Sequence, residues 1–451
     1  MRSSRNALVL LVAAALGACG GGGDASGNGG KPGVGASSAF FLPTGEPENT
    51  TDPHVEVDGQ GNLHMIYRAY GGGLAYYGSC AAGCASPADV KVVVFQAEAS
   101  VSHMALALTK AGKPRVLLST MQRVHYLACD GDCTQPAAWD AATVLEHGGK
   151  YEVSGEALAL TPDGAPRFLF HTYRTYAGIG QGAPETFAMG CDAGCLEPAS
   201  WGAAKIADQL WQANALRIDA AGVAHLATVV SQVDLDMGLD DYGAYLECSD
   251  GDCGSPASWQ GTGLLRAFSS RWIEGIDPAV SLALTADGHP RVALLSKDAA
   301  GKRNLSWFSC DDGCTSGSRF SGGVLVQSDA LDAGLDLALD AAGRPRLAYT
   351  GNADVMVAAC DDGGCTDGNR WTPRAVERSG DMKPDEIIPY PNCTVAAWVL
   401  DRPTLAMGAD GAPRVAYVAT DLSGGTQNPD PTKPPCVAGP DMVFARFAKA
   451  R

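Results

Sequence analysis

A cysteine, three or four residues rich in Asp and Gly, a second cysteine, and a bulky residue six positions beyond it recur six times along this chain. The copies are Cys80–Cys84 with Val90, Cys129–Cys133 with Trp139, Cys191–Cys195 with Trp201, Cys248–Cys253 with Trp259, Cys310–Cys314 with Phe320, and Cys360–Cys365 with Trp371. The interval from second cysteine to bulky residue never varies, so each copy reads as the same structural unit. A period of fifty-odd residues holding several short strands per copy implies a closed array of sheets.

A second unit precedes each cysteine pair. It reads ALALTKAGKPR at 105–115, ALALTPDGAPR at 157–167, ALRIDAAGVAH at 215–225, SLALTADGHPR at 281–291, DLALDAAGRPR at 336–346 and TLAMGADGAPR at 404–414, with a distant copy, HVEVDGQGNLH, at 54–64. Each begins with the period-2 alternation of a strand, and its small residues suit the crowded innermost strand near an axis. A turn rich in Asp, Ala and Gly follows, and in most copies Pro-Arg then opens a second strand, where proline is tolerated because the first residue can do without its N–H. A third strand such as 124–128 runs into the cysteine turn, and a fourth follows the bulky residue. Seven units of four antiparallel strands predict an all-β, seven-bladed β-propeller over residues 39–451. The seventh unit stops after a third strand at 442–447. The orphan apolar segment Ala39–Leu42 is expected to supply its missing fourth strand and so close the ring.

The cysteine hairpin, with Cys129-Asp130-Gly131-Asp132-Cys133 and its Trp139 as the clearest copy, resembles the Asp-box (BNR) turn of sialidase-type propellers, Ser-x-Asp-x-Gly-x-x-Trp. In that family the motif is structural. The resemblance implies the propeller fold but no catalytic residue here, because the Arg-Ile-Pro segment that introduces the family's arginine triad does not occur in this sequence.

The start of the chain points to a compartment. A short basic region, Met1–Arg5, precedes an apolar run from Ala7 to Leu16 that is too short to span a bilayer and reads as a signal peptide over 1–18. Leu16-Gly17-Ala18-Cys19 resembles the bacterial lipoprotein cleavage box, which implies acylation of Cys19. Gly20 in place of Asp favours the outer membrane, facing the periplasm or the surface, and residues 20–38 form a Gly/Ser-rich tether. Fifteen cysteines less Cys19 leave an even fourteen in an oxidising compartment. Disulfides within the six turns account for twelve, and Cys393 and Cys436, placed on loops of one face, form the seventh pair. Thiolate metal binding is the alternative for the turns, but each offers two ligands where structural zinc takes four.

Topology then separates two faces. The short repetitive turns lie on one, together with Arg115, Arg167, Arg291, Arg346 and Arg414, which read as structural partners of turn carboxylates. Longer, dissimilar loops lie on the other, where binding residues concentrate on rigid scaffolds. Trp211, Trp272 and Trp398 are expected in blade-to-blade connections there, with Tyr151, Tyr173, Tyr176, Tyr390, Arg174, Arg271, Asn214, Glu274, Asp277, Asp52, His54 and His103 nearby. Aromatic faces flanked by such groups suit sugars or peptides, although the same rings could equally plug the channel. Asp234, Asp236, Asp240 and Asp241 in one acidic loop could ligate calcium or be merely solvated; no other cofactor is indicated.

A net charge of −17 argues against nucleic acid as a partner, and no phosphate loop, His-Glu-x-x-His or Gly-x-Ser-x-Gly is present. The expectation is a monomeric, lipid-anchored binding module for glycan, peptide or another envelope protein. A glycoside hydrolase or polysaccharide lyase on the same scaffold is the alternative, with His54, His103, Glu156, Glu274, Asp277 and Tyr173 available as acids and bases.

Overall fold

The computed structural model describes residues 9–10, 39–45, 49–173, 183–231, 242–249, 253–266, 279–298, 300, 302–382, 393–394, 398–421, 426–427 and 442–450. These build seven blades of antiparallel strands around an axis, a β-propeller. Blade one runs Thr50–Val57, Leu63–Ala69, Leu74–Cys80 and Lys91–Gln96 from the axis outward. Blade two repeats the plan with Val101–Leu108, Pro114–Thr120, Arg123–Cys129 and Trp139–Glu146. Proline is the first residue of the second strand in blades two, three, five, six and seven, as its missing N–H requires. The glycine of every first-to-second-strand turn, from Gly61 to Gly411, has φ between +72° and +87°, a backbone state that side chains disfavour.

The ring closes as expected. Phe40 and Phe41 pair with Phe447 and Arg446, and the Leu42 amide donates to the Ala445 carbonyl at 3.0 Å, so an N-terminal strand completes blade seven. The guanidinium of Arg446 lies over the Phe41 ring at 4.4 Å and is clamped by both carboxylate oxygens of Glu377 from blade six. Val9–Leu10 pairs antiparallel with Phe95–Gln96 on the outer edge of blade one.

The six turn disulfides are present. One turn of 3₁₀ helix, such as Pro136–Ala138, follows each second cysteine and delivers the bulky residue, which accounts for the invariant interval. The indole N–H of Trp139, Trp201, Trp259 and Trp371 then donates to the carbonyl of its own second cysteine at 2.8–3.0 Å. In four blades the ring also fills the seam to the preceding blade, meeting a third-strand aromatic there: Trp139 on Tyr77, Trp201 on Tyr126, Phe320 on Tyr245 and Trp371 on Trp307, with centroids 4.7–5.4 Å apart. The hydrophobic core is this set of seams between neighbouring blades. Among the described residues, no helix is long and apolar enough to cross a membrane.

The recurrent arginines are structural, as the repetition suggested. Arg115 reaches Asp130 at 2.7 Å and the Cys129 carbonyl at 3.2 Å; Arg291 and Arg346 repeat this with Asp311 and Asp361, and Arg167 pairs with Asp192. Arg414, in the blade without a cysteine turn, holds Asp410 instead. In blades one and four histidine replaces the arginine. His64 and His225 each sit 2.6 Å from a third-strand hydroxyl, of Tyr77 and Tyr245. Cys393–Thr394 pairs with Thr426–Gln427, which joins the two loops expected to carry the seventh disulfide. Cys436 lies outside the described residues.

Candidate functional site

All seven innermost strands, or the segment that stands for one in blade three, contribute to a cavity of about 290 Å3 at the variable-face end of the axis. Its polar lining comes from Asp52, His54 and Glu56 of blade one, His103 of blade two, Glu156 of blade three, Arg217 of blade four, and Arg402 and Thr404 of blade seven. Irregularities in those strands create it. The pairing register slips between Thr51 and His54, Val101 and His103, Gln212 and Ala215, Leu331 and Leu335, and Asp401 and Thr404. Such bulges bend a strand and re-aim its side chains. At three of them a non-glycine residue is held in the left-handed region: Asp52 (φ 48°), Ala213 (φ 51°) and Arg402 (φ 50°). Backbone of this kind costs on the order of 1–3 kcal/mol per residue and clusters where function requires it.

Glycine stands at two further irregularities because nothing else fits. A Cβ on Gly155 would lie 2.3 Å from the Asn214 carbonyl oxygen, and one on Gly334 would lie 2.4 Å from the Arg402 Cα. The close approach at Gly155 lets Gly155–Glu156 leave blade three's own sheet and pair in parallel with Asn214–Ala215 of blade four. Glu156 is thereby carried to the pocket.

The charged groups interlock. Arg68 binds Asp52 through Nε at 2.8 Å and Nη2 at 2.5 Å, and Arg402 Nη1 stands 3.3 Å from the other Asp52 oxygen. Burial alone would raise the Asp52 carboxyl, but these two guanidiniums hold it below its ordinary value. His54 Nε2 lies 3.3 Å from Glu56. Burial works against its charged form, yet the hydrogen bond to Glu56 and nearby carboxylates raise it overall. His103 Nε2 meets the Gly155 carbonyl at 2.8 Å, and burial lowers its pKa.

Deeper, Arg217 pairs with Glu156, and the Glu156 charge acts on Asp336 of blade six. Asp336 is only 3% exposed and is clasped by three donors: Ser281 Oγ at 2.6 Å, the Leu337 amide at 2.7 Å and the Leu405 amide at 2.6 Å. Burial, then the Glu156 charge, pushes its carboxyl up to about 8. Burial would also raise Glu156, but Arg217 and His54 hold it low. One proton is therefore retained at this carboxyl pair at neutral pH, mainly on Asp336.

Of the residues expected from sequence, His54, His103, Asp52 and Glu156 meet in this pocket. Trp211 and Trp398 require correction. They stand in the innermost strands Leu210–Ile218 and Trp398–Met407, not in connections, and are 5% and 7% exposed. Trp211 packs on Trp259, and Trp398 on Phe41 and Phe444, so their faces cannot stack a ligand. Asn214 is also committed, bridging its bulge by donating to the Trp211 carbonyl and accepting from Thr228 Oγ1. Tyr173 is half-buried beside Lys150, and Tyr151 packs on Phe170 and Phe187, both away from the cavity lining. Trp272, Tyr176, Tyr390, Arg174, Arg271, Glu274, Asp277, the loop aspartates 234, 236, 240 and 241, and Cys19 lie outside the described residues.

Sequence reasoning passed over Glu56, Arg217, Asp336 and Arg402. A signal for the first three was present. At the third residue of the inner unit five copies write Ala, whereas blades one and four write Glu56 and Arg217. At the first residue most copies write Ala, Ser or Thr, whereas blades one and six write His54 and Asp336.

No protein-family model matches the sequence, and no curated protein matches it. Solved structures resemble the chain at low identity. A protein of unknown function from Dyadobacter fermentans matches with a TM-score of 0.46 and 11% identity over 93% of this chain and 100% of its own. An oligogalacturonate lyase solved with manganese gives 0.46 and 10% over 93% and 99%. A Hadza microbial sialidase gives 0.39 and 11% over 89% and 66%.

Proposed function

We propose that this chain is a cell-envelope binding module whose axial pocket takes a saccharide unit. One observation carries the reading: polar side chains from five blades converge on a single cavity, held there by strained or bulged backbone. The lining mixes donors and acceptors, which suits a polyhydroxylated ligand, and its volume lies at the small end for ligand pockets, roughly 300–1,000 Å3. Recognition then rests on hydrogen bonds, since the described tryptophans are buried in the seams. A glycan array probed with the mature protein tests it. Arg402→Ala should weaken any ligand found by about tenfold or more, because it removes one of the two guanidiniums that fix the Asp52 carboxylate as an acceptor in the pocket. The Arg402 side chain is 53% exposed, so the fold should hold. An array without binders, or a ligand indifferent to this substitution, refutes the proposal.

The same proposal includes the Asp-box kinship of the cysteine turns, acylation at Cys19 and an outer-membrane location. Cleavage before Cys19 would remove the Val9–Leu10 strand from blade one. Cys19→Ser should release the protein from the membrane fraction, and undiminished retention there would count against the anchor.

A second reading, a carbohydrate-active enzyme, is favoured by the carboxyl pair that keeps a proton at neutral pH beside His54. It requires product release from a bound glycan and loss of that activity in Glu156→Gln. Binding with no product after prolonged incubation removes it.

A further inference from the structure

We propose that the pocket selects uncharged sugars and discriminates against sugars that bear a carboxylate. The inference rests on the saccharide reading above and names its ligand class. Recognising a carboxylate takes a guanidinium fork or an ammonium whose donors face the ligand. Each guanidinium at this site is already committed to a carboxylate of the protein. Arg217 gives Nη2 to Glu156 and Nη1 to the Leu216 carbonyl at 3.0 Å. Arg68 gives Nε and Nη2 to Asp52, and Arg402 shares that same aspartate.

The two histidines add no unpaired cation. His54 is held by Glu56, and His103, on the Gly155 carbonyl, is kept towards its neutral form by burial. Asp52, Glu56 and Glu156 thus already engage Arg68, Arg402, His54 and Arg217, and the chain as a whole carries −17. An incoming carboxylate would enter a confined space where every described positive charge is spoken for, next to like charge. A hydroxymethyl group in the same place meets no such penalty and can both donate and accept. The geometry is therefore that of a neutral polyol site, with internal ion pairs serving as fixed donors and acceptors.

The test uses matched pairs of immobilised oligosaccharides that differ at one terminal ring only, hydroxymethyl in one and carboxylate in the other: glucose against glucuronate, galactose against galacturonate. The mature wild-type protein should bind the neutral member of a pair at least about tenfold more tightly. Glu156→Gln, which leaves Arg217 without its carboxylate, should narrow or reverse that preference. Asp52→Asn does the same for Arg68 and Arg402, and asparagine tolerates the left-handed backbone at this position, so it serves should Glu156→Gln fail to fold. Equal or tighter wild-type binding of the acidic member overturns the inference while leaving the saccharide reading in place. A preference unchanged in every variant that folds also overturns it, because the ion pairs would not be its cause. Failure of every member of every pair to bind defeats the saccharide reading itself, and this inference with it.

Discussion

The cysteine-turn face and the axial pocket both pair arginines with carboxylates, but in opposite settings. On the turn face Arg115, Arg167, Arg291 and Arg346 occupy one equivalent position, and their aspartate partners are largely exposed. At the axis Arg217 breaks the repeat, its partner Glu156 comes from another blade just outside the repeated unit, and that carboxylate is only 19% exposed. Repetition marks what every blade needs in order to be a blade. Departure from repetition, as where Arg217 and Glu56 stand in place of the alanine the other copies write, marks what the assembled ring alone can make.

The contrast breaks most sharply on the tryptophans. Trp139 is 4% exposed and packs edge-on against Tyr77 and Phe95. Trp211 lies equally deep against Trp259. Replacing either by alanine should cost about 3–5 kcal/mol in chemical denaturation. If Trp211→Ala left stability intact and abolished ligand binding, the axial region would extend into the seams, and the division between scaffold and site drawn above would be wrong.

The next effect is electrostatic and belongs to the axis. In the folded protein Asp336 titrates near 8, against an ordinary 3.8. The folded state therefore binds more protons than the unfolded chain between about pH 4 and pH 8. This contribution to stability is full below pH 4 and is lost as pH rises through 8, with a slope of up to about 1.4 kcal/mol per pH unit for one proton. Asp336→Asn should lower stability throughout, because an amide cannot accept on both sides of the clasp, yet it should remove that slope. Urea midpoints at pH 5 and pH 8 for both proteins check it. Equal slopes would mean that the carboxyl pair holds no extra proton.

These effects fall unevenly on what the amino-acid order discloses. Period-2 alternation, the Asp-Gly-x-Pro-Arg turns and the fixed cysteine-to-tryptophan interval follow local rules, so blade number, strand order and the closing strand Phe40–Phe41 were all legible. The pocket depends on bulges at Asp52, Ala213 and Arg402, where ordinary residues take a backbone that propensity disfavours. Nothing local announces such a site. Trp211 was misplaced for a related reason. Its strand begins at Leu210, upstream of the recognisable repeat at Ala215, and the bulge between Gln212 and Ala215 hides the continuity. Glu156 was named among candidate acids, but its parallel pairing with blade four comes from an excursion that no periodicity encodes.

The smallest effect is expected on the turn face, and it is the control for the rest. Asp130 exposes most of its carboxylate, so Asp130→Asn removes an ion pair that water already screens. Arg115 keeps its bonds to the Pro114 and Cys129 carbonyls at 3.1 and 3.2 Å, which position the guanidinium without the charge. The Cys129–Cys133 bridge and the Trp139 indole bond to the Cys133 carbonyl hold the same turn independently. The substitution should cost no more than about 1 kcal/mol, and half of that or less as salt is raised. Ligand affinity should be unchanged, since the turn lies on the face opposite the pocket. A cost above about 2 kcal/mol would show that these exposed pairs act together around the ring, and the repeated face would then be an electrostatic belt whose members cannot be read one blade at a time.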